Sequence, residues 1–293
     1  MASWSRRWSA RRRELTAGAV RAGVGMLEAV APQVAGAAAE RLWFTPPRPP
    51  ASVLARHAAM LSGAQPLRLR VHGRDLHGWT LGEGPLALLV HGWGGWAAQF
   101  GPIAHALAGA GFEAVSVDLP GHGHDRARRS DLFQMSDALR ALVAERGSPA
   151  LSVAHSLGAM AVTYAFEDTP PPAAVFLAPA LSTDAAIEQF IHRMRLRPAT
   201  GQDLRARLRA FIGDAWPLIN QGAELDWPRG PLLVIHDRND PQTPFATSAA
   251  LADRHPHVDL MEVDGPGHNR VLREPVIAEA VADFARAHVA TSA

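Results

Sequence analysis

Ser156 sits at the centre of Ala154-His155-Ser156-Leu157-Gly158, with small residues two places to either side. An apolar run precedes this pentad and a helical pattern follows it. A serine on so sharp a strand-to-helix turn needs small neighbours, because bulkier side chains collide where the chain doubles back. The turn lifts Oγ clear of the backbone, and the following helix aims its positive end at the same place. A serine that merely capped the helix would need no further partners. A nucleophilic one needs a base to take its proton. Of the 14 histidines, His155 is adjacent and is expected to point away from Ser156. His91 lies in a glycine-rich turn suited to a structural hydrogen bond. His268 lies in Gly265-Pro266-Gly267-His268, past the last predicted strand, where a side chain can reach back over the sheet edge. It is the best candidate for the base. The base needs a carboxylate to hold its tautomer. Asp240 and Asp237, both near the end of a predicted strand, compete for that role, and Asp184 is a distant third. An oxyanion needs two backbone donors. The N–H of Leu157, next after the serine, and that of Trp93 in His91-Gly92-Trp93-Gly94 are the expected pair. The chemistry such a set performs is acyl transfer through a serine.

Other chemistries are removed by composition. The 293 residues contain no cysteine, which excludes thiolate nucleophiles, disulfides and thiolate metal sites. They also contain no lysine: all 29 basic residues are arginine. Schiff-base and PLP chemistry and a Walker-A lysine are thereby excluded. His122-Gly123-His124-Asp125 resembles a metal cluster, but the next residue is Arg126 and the spacing is wrong, so no metal is expected there. No cofactor is expected. The net charge of +1 gives no global field for nucleic acid. Apolar residues at 47% and charged residues at 19% describe an ordinary core-forming chain.

The elements that must position these residues follow from periodicity. Residues 67–71 and 76–81 alternate as strands across a likely hairpin turn at 72–75. The run at 86–90 is continuously apolar, as in a strand buried on both faces. Further strands are predicted at 114–119, 150–154, 174–177, 232–236 and 258–263. Helices are predicted at 53–62, 97–110, 131–146, 157–167 and 275–289, with another between the last two strands. This alternation predicts a mostly parallel sheet with helices on both faces. The candidate residues all follow the carboxyl ends of strands, where open parallel sheets hold their ligands.

Two segments break the pattern. Residues 182–230 contain no strand but carry two apolar stripes, Ile187/Phe190/Ile191/Met194 and Leu204/Leu208/Phe211/Ile212. These are two inserted amphipathic helices, a candidate lid. The stripes are expected to serve mainly for packing. The arginines at 193, 195, 197, 205, 207 and 209 are expected to form a solvated face, with attraction for an anionic head group as the lesser reading. The first 50 residues are set apart by Thr45-Pro46-Pro47-Arg48-Pro49-Pro50, a stiff extended linker. Before it, Arg6, Arg7, Arg11, Arg12 and Arg13 precede an Ala/Gly/Val-rich stretch at 17–39 interrupted by Arg21, Glu28 and Pro32. That stretch is too interrupted for a membrane span or a signal peptide. It is expected to be an amphipathic helix packed on the domain, in a cytoplasmic protein. The sharper reading is weak contact with an anionic membrane surface.

Taken in order, His91-Gly92-Trp93-Gly94, residues 118–123, the pentad around Ser156, residues 236–244 and Gly267-His268 resemble the α/β-hydrolase fold superfamily. The resemblance covers about residues 67–289. It implies an α/β fold with a helical cap at 182–230, and a catalytic domain over 51–293. It implies Ser156 as nucleophile, Asp240 as acid, His268 as base, and Trp93 and Leu157 as oxyanion donors. Its spacing favours Asp240 over Asp237. Ala154 stands where the family has glycine, and Asp237 where glycine is commoner. Trp93 and Trp96 are expected to line the substrate pocket. A serine nucleophile implies ester hydrolysis on a small-molecule acyl substrate. Thioester hydrolysis, acyl transfer and C–C bond hydrolysis remain open on the same triad, and a non-catalytic binding protein is the alternative of another class.

Overall fold

The computed structural model describes residues 18–290. Arg6 to Arg13, on which the alternative reading of membrane-surface contact rests, lie outside the described residues. Among the described residues no helix is long and apolar enough to cross a membrane.

Eight strands form one sheet: β1 (Gln65–Val71), β2 (Arg74–Leu81), β3 (Leu86–Val90), β4 (Glu113–Val117), β5 (Leu151–His155), β6 (Ala173–Leu177), β7 (Leu232–Asp237) and β8 (Val258–Val263). Their spatial order is β1-β2-β4-β3-β5-β6-β7-β8. β1 pairs antiparallel with β2, and β2 with β4; from β4 to β8 every pairing is parallel. The first two strands alternate buried and exposed residues, whereas β3, β5, β6 and β7 are buried throughout. That is the mark of inner parallel strands covered on both faces.

Alternate residues feed two cores. Leu86, Leu88 and Val90 join Val115, Phe176 and Val234 on one face, beneath α5 (Leu132–Arg146) and α6 (Leu157–Ala165). Ala87 and Leu89 join Val153, Val175, Leu177 and Ile235 on the other. There α4 (Gly101–Gly109) packs with α11 (Pro275–His288). Asp131 caps α5 by accepting the Gln134 N–H at 2.8 Å. β4 and β5 lie on opposite sides of β3, so the order reverses there and opens a crevice at the strand ends.

The described chain divides into two compact units. One holds β1–β8; the other joins the described residues up to Phe44 to Asp184–Trp216. The division by contacts is thus not the linear one expected at residue 50. In the second unit the stretch expected as one helix is broken at Ala31 into α1 (18–30) and α2 (Pro32–Trp43), with Pro32 opening α2. The inserted stripes lie on α7 (Thr183–Met194) and α8 (Pro198–Ile212). Ile187, Leu204 and Leu208 are buried with Val24, Ala39 and Phe44. Phe190 meets Trp43 edge-on at 5.4 Å. Glu28 accepts the Arg197 N–H at 2.8 Å, and Arg207 pairs with Asp203 at 3.0 Å and Glu40 at 3.4 Å. The stripes are therefore packing surfaces, as expected, and their partner is the N-terminal segment. Several of the arginines there are held in ion pairs.

Candidate active site

Ser156 follows β5 and opens α6 with φ 53° and ψ −123°. For a residue with a Cβ this is strained backbone, costing on the order of 1–3 kcal/mol. The surroundings enforce it. The Ser156 N–H donates to Leu177 O at 3.0 Å, and its carbonyl accepts from Ala159 and Ala180 at 3.0 and 3.1 Å. The small neighbours are needed for space. A Cβ on Gly158 would lie 2.5 Å from Val90 O and 2.9 Å from His91 O. A Cβ on Gly92 would lie 2.7 Å from the Ser156 Cβ. The serine is thus wedged between its own helix and the loop after β3.

His268 and Asp240, far apart in sequence, are brought together. His268 Nδ1 lies 2.8 Å from Asp240 Oδ2, and both side chains are buried. The other carboxylate oxygen accepts the Gln242 and Thr243 N–H groups at 2.7 and 3.1 Å. Burial by itself would raise the Asp240 pKa, but hydrogen bonds from His236 and His268 outweigh it and hold the carboxyl well below the ordinary range. Asp240 is therefore ionised and accepts the hydrogen bond from His268 Nδ1–H. Asp237 holds a different post. It accepts the Asn239 N–H at 2.8 Å and the Gly267 N–H, tying the acid's turn to the loop that carries His268. Asp184 belongs to the other compact unit.

Two residues with no role assigned from sequence brace the acid. His236, the fifth residue of β7, is fully buried; its Nε2 lies 3.4 Å from Asp240 Oδ2 and its Nδ1 2.7 Å from Ser248 Oγ. The Thr243 hydroxyl donates to Asp240 Oδ2 at 3.0 Å. The spacing of four between His236 and Asp240 was visible, but nothing in it says that the turn folds back on the strand end. His155 also has a use. Its Nε2–H donates to the His268 carbonyl at 2.8 Å, and the rings stand 4.8 Å apart. Burial, helped by repulsion from His268, pulls its pKa down to about 3, so it stays neutral.

The loop after β3 is tied down by hydrogen bonds. His91 Nε2 accepts the Leu119 N–H at 3.0 Å, so the proton sits on Nδ1 and is donated to Gly92 O at 2.9 Å. This is the structural hydrogen bond expected of it. Neither the Trp93 nor the Leu157 N–H donates to an acceptor among the described residues. The Trp93 ring lies edge-on to His122 at 5.1 Å. Trp96 is placed otherwise than expected. It is only 8% exposed and packs against Leu54 and His57 of α3 (Ala51–Ala58), closing a small satellite core rather than lining a pocket. His122 and His124 do not converge on a common point. His122 Nδ1 donates to Pro120 O at 2.8 Å, while His124 Nδ1 lies 2.7 Å from Asp118 Oδ2. Asp118 braces the loop by accepting the Ala97 and His124 N–H groups, both at 2.8 Å.

A family model described as the alpha/beta hydrolase family matches residues 87–287. Over 237 residues the chain is 27% identical to a pimeloyl-(acyl-carrier protein) methyl ester esterase of Xanthomonas oryzae pv. oryzae, covering 66% of this chain and 91% of that protein. Over 84 residues it is 38% identical to a protein of the same name from Vibrio atlanticus, a match spanning 28% of this chain and 31% of that relative. A solved structure of a Pyrococcus furiosus esterase superposes with a TM-score of 0.59 over 84% of this chain and 97% of its own, at 18% identity. That last likeness is one of fold.

Proposed function

The chain belongs to the alpha/beta hydrolase family, and from that premise we propose that it is a serine esterase that cleaves a carboxylic ester through an acyl-enzyme on Ser156. The observation that carries the proposal is the buried His268–Asp240 pair, 2.8 Å apart, with the His268 backbone carbonyl accepting a hydrogen bond from His155, the neighbour of the strained Ser156. In this reading His268 Nε2 takes the Ser156 proton as Oγ attacks the carbonyl carbon. The Trp93 and Leu157 N–H groups hold the oxyanion. As the tetrahedral intermediate collapses, His268 returns the proton to the departing alkoxide. A water then gives its proton to His268 and attacks the acyl-enzyme, releasing the acid and restoring the serine. The substrate class is a small acyl ester. Methyl esters of longer acyl chains, free or on a carrier protein, belong in the test because relatives are named for that activity.

A fluorophosphonate probe and p-nitrophenyl esters of rising chain length test the proposal. Wild type is expected to label and turn over. Ser156→Ala is expected to lose labelling and roughly 10⁴-fold or more in kcat. Labelling and turnover that survive Ser156→Ala would refute it. Labelling without turnover on any ester would redirect the same triad to thioester hydrolysis, acyl transfer or C–C cleavage.

A further inference from the structure

Away from the triad, His255, His257 and Asp226 converge. One donor atom from each lies within 4.8 Å of the others. The two imidazole rings stand 5.5 Å apart. The Nε2 atoms of both histidines are shut off from solvent and have no hydrogen-bond partner. Such orphaned nitrogens are costly, since each has surrendered a water without gaining a partner. No cation pairs with Asp226 among the described residues, and neighbouring Arg254 is engaged by Glu224 at 2.8 Å.

All three side chains stand on pinned backbone. His255 ends α9 (Phe245–Arg254): its N–H donates to Leu251 O at 3.1 Å and its carbonyl accepts from Val258 at 3.0 Å. The His257 carbonyl accepts the N–H of Leu232, the first residue of β7, at 3.0 Å. Asp226 is held between two buried residues, Leu225 and Trp227, and the Trp227 indole donates to Phe166 O at 3.0 Å. The result is a histidine pair and a carboxylate with little freedom to move apart.

We propose that Asp226, His255 and His257 form a structural binding site for a divalent transition metal of the zinc class. Two imidazoles with one carboxylate suit zinc, nickel or cobalt; calcium and magnesium prefer all-oxygen sets. Metal–ligand bonds of about 2.0–2.2 Å place donors roughly 3.3 Å apart. Rotation of the exposed Asp226 side chain and of the two imidazoles would close the remaining gap. Bound through the two Nε2 atoms, the metal would satisfy both orphaned nitrogens and leave a fourth position for water. Its role is structural because of where the ligands lie. Asp226 precedes β7 and both histidines precede β8, so they mark the amino ends of strands, whereas Ser156, Asp240 and His268 follow carboxyl ends. The metal would staple the segment entering β7 to the turn between α9 and β8.

The test uses the full chain, stripped with chelator and titrated with Co²⁺ and then Zn²⁺. One equivalent of Co²⁺ is expected to give the visible ligand-field absorption of a low-coordinate site, and Zn²⁺ to displace it. Zn²⁺ at a hundred-fold excess over its Kd is expected to raise the unfolding midpoint by roughly 5 °C. His257→Gln and Asp226→Asn are each expected to weaken binding at least ten-fold. Wild-type imidazole NMR adds a reading that needs no variant: the His255 and His257 signals should shift with Zn²⁺. Absence of saturable one-to-one binding, Zn²⁺ shifts confined to other histidines, or wild-type affinity in folded His257→Gln would each overturn the site.

Discussion

Asp240 and Asp237 differ by three positions and by function. Asp240 faces the His268 imidazole, while Asp237 ties the turn at Asn239 to the loop that carries His268. Asparagine at each position separates the two roles. In the proposed mechanism, Asp240→Asn removes the charge that would stabilise the imidazolium and no longer enforces the Nδ1–H tautomer. It is expected to lower kcat roughly 10³–10⁴-fold with KM little changed. Asp237→Asn weakens a loop contact and is expected to cost less than about ten-fold in kcat, with a lower unfolding midpoint. A larger kcat loss for Asp237→Asn than for Asp240→Asn would reverse the assignment. The residues that escaped the sequence reading, His236 and Thr243, act only through the carboxylate. Their types are common in loops and strand ends, and no local spacing announces that a turn will bend them onto Asp240.

The strand–turn–helix around Ser156 works because β3, β5 and α6 approach more closely than ordinary side chains allow. Gly158 is the point of contact, with backbone oxygens of Val90 and His91 where its Cβ would stand. Backbone cannot yield as a flexible side chain does. Gly158→Ala is expected to cost about 2–3 kcal/mol, read as a lower denaturant midpoint, and to slow fluorophosphonate labelling by displacing the Leu157 N–H. Wild-type stability and labelling in that variant would show that the elbow has slack. The α2 and α8 pair follows a similar logic in the other unit, where Gly36 lets the Asp203 side chain lie against α2.

Across the sheet-bearing unit, buried neutral histidines link stability to pH. Burial is the main cause in each case. It pulls His122 down to about 4, His155 to about 3, and His91 well below its ordinary 6.5. In the unfolded chain all three titrate near 6.5. Their contribution is complete above that pH. It is lost as pH falls, because the unfolded chain then binds protons that the native state refuses. For His122 and His155 the slope approaches about 1.4 kcal/mol per pH unit each between about pH 5.5 and 4.5, and His91 adds to it in the same direction. Denaturant midpoints should fall steeply over that window, and a flat profile from pH 7 to 4.5 would contradict neutral burial.

The fold was legible from the chain because strand and helix periods are local properties. Continuous apolar runs such as 86–90 announce strands buried on both faces, and the small residues around Ser156 announce a sharp turn. Those signals sufficed for the eight strands and the turn, while the family was indicated by five short motifs standing in order along the chain. Long-range packing settled the rest. An apolar stripe such as Leu204/Leu208 says that something must cover it, but not that the cover comes from residues 24–44. Trp96 reads as a pocket aromatic until α3 is seen to enclose it. Family spacing favours Asp240, and only the tertiary structure sets its carboxylate 2.8 Å from the His268 imidazole. Periodicity is written in neighbouring residues, whereas pairings across a hundred positions depend on which surfaces the closed chain brings into contact.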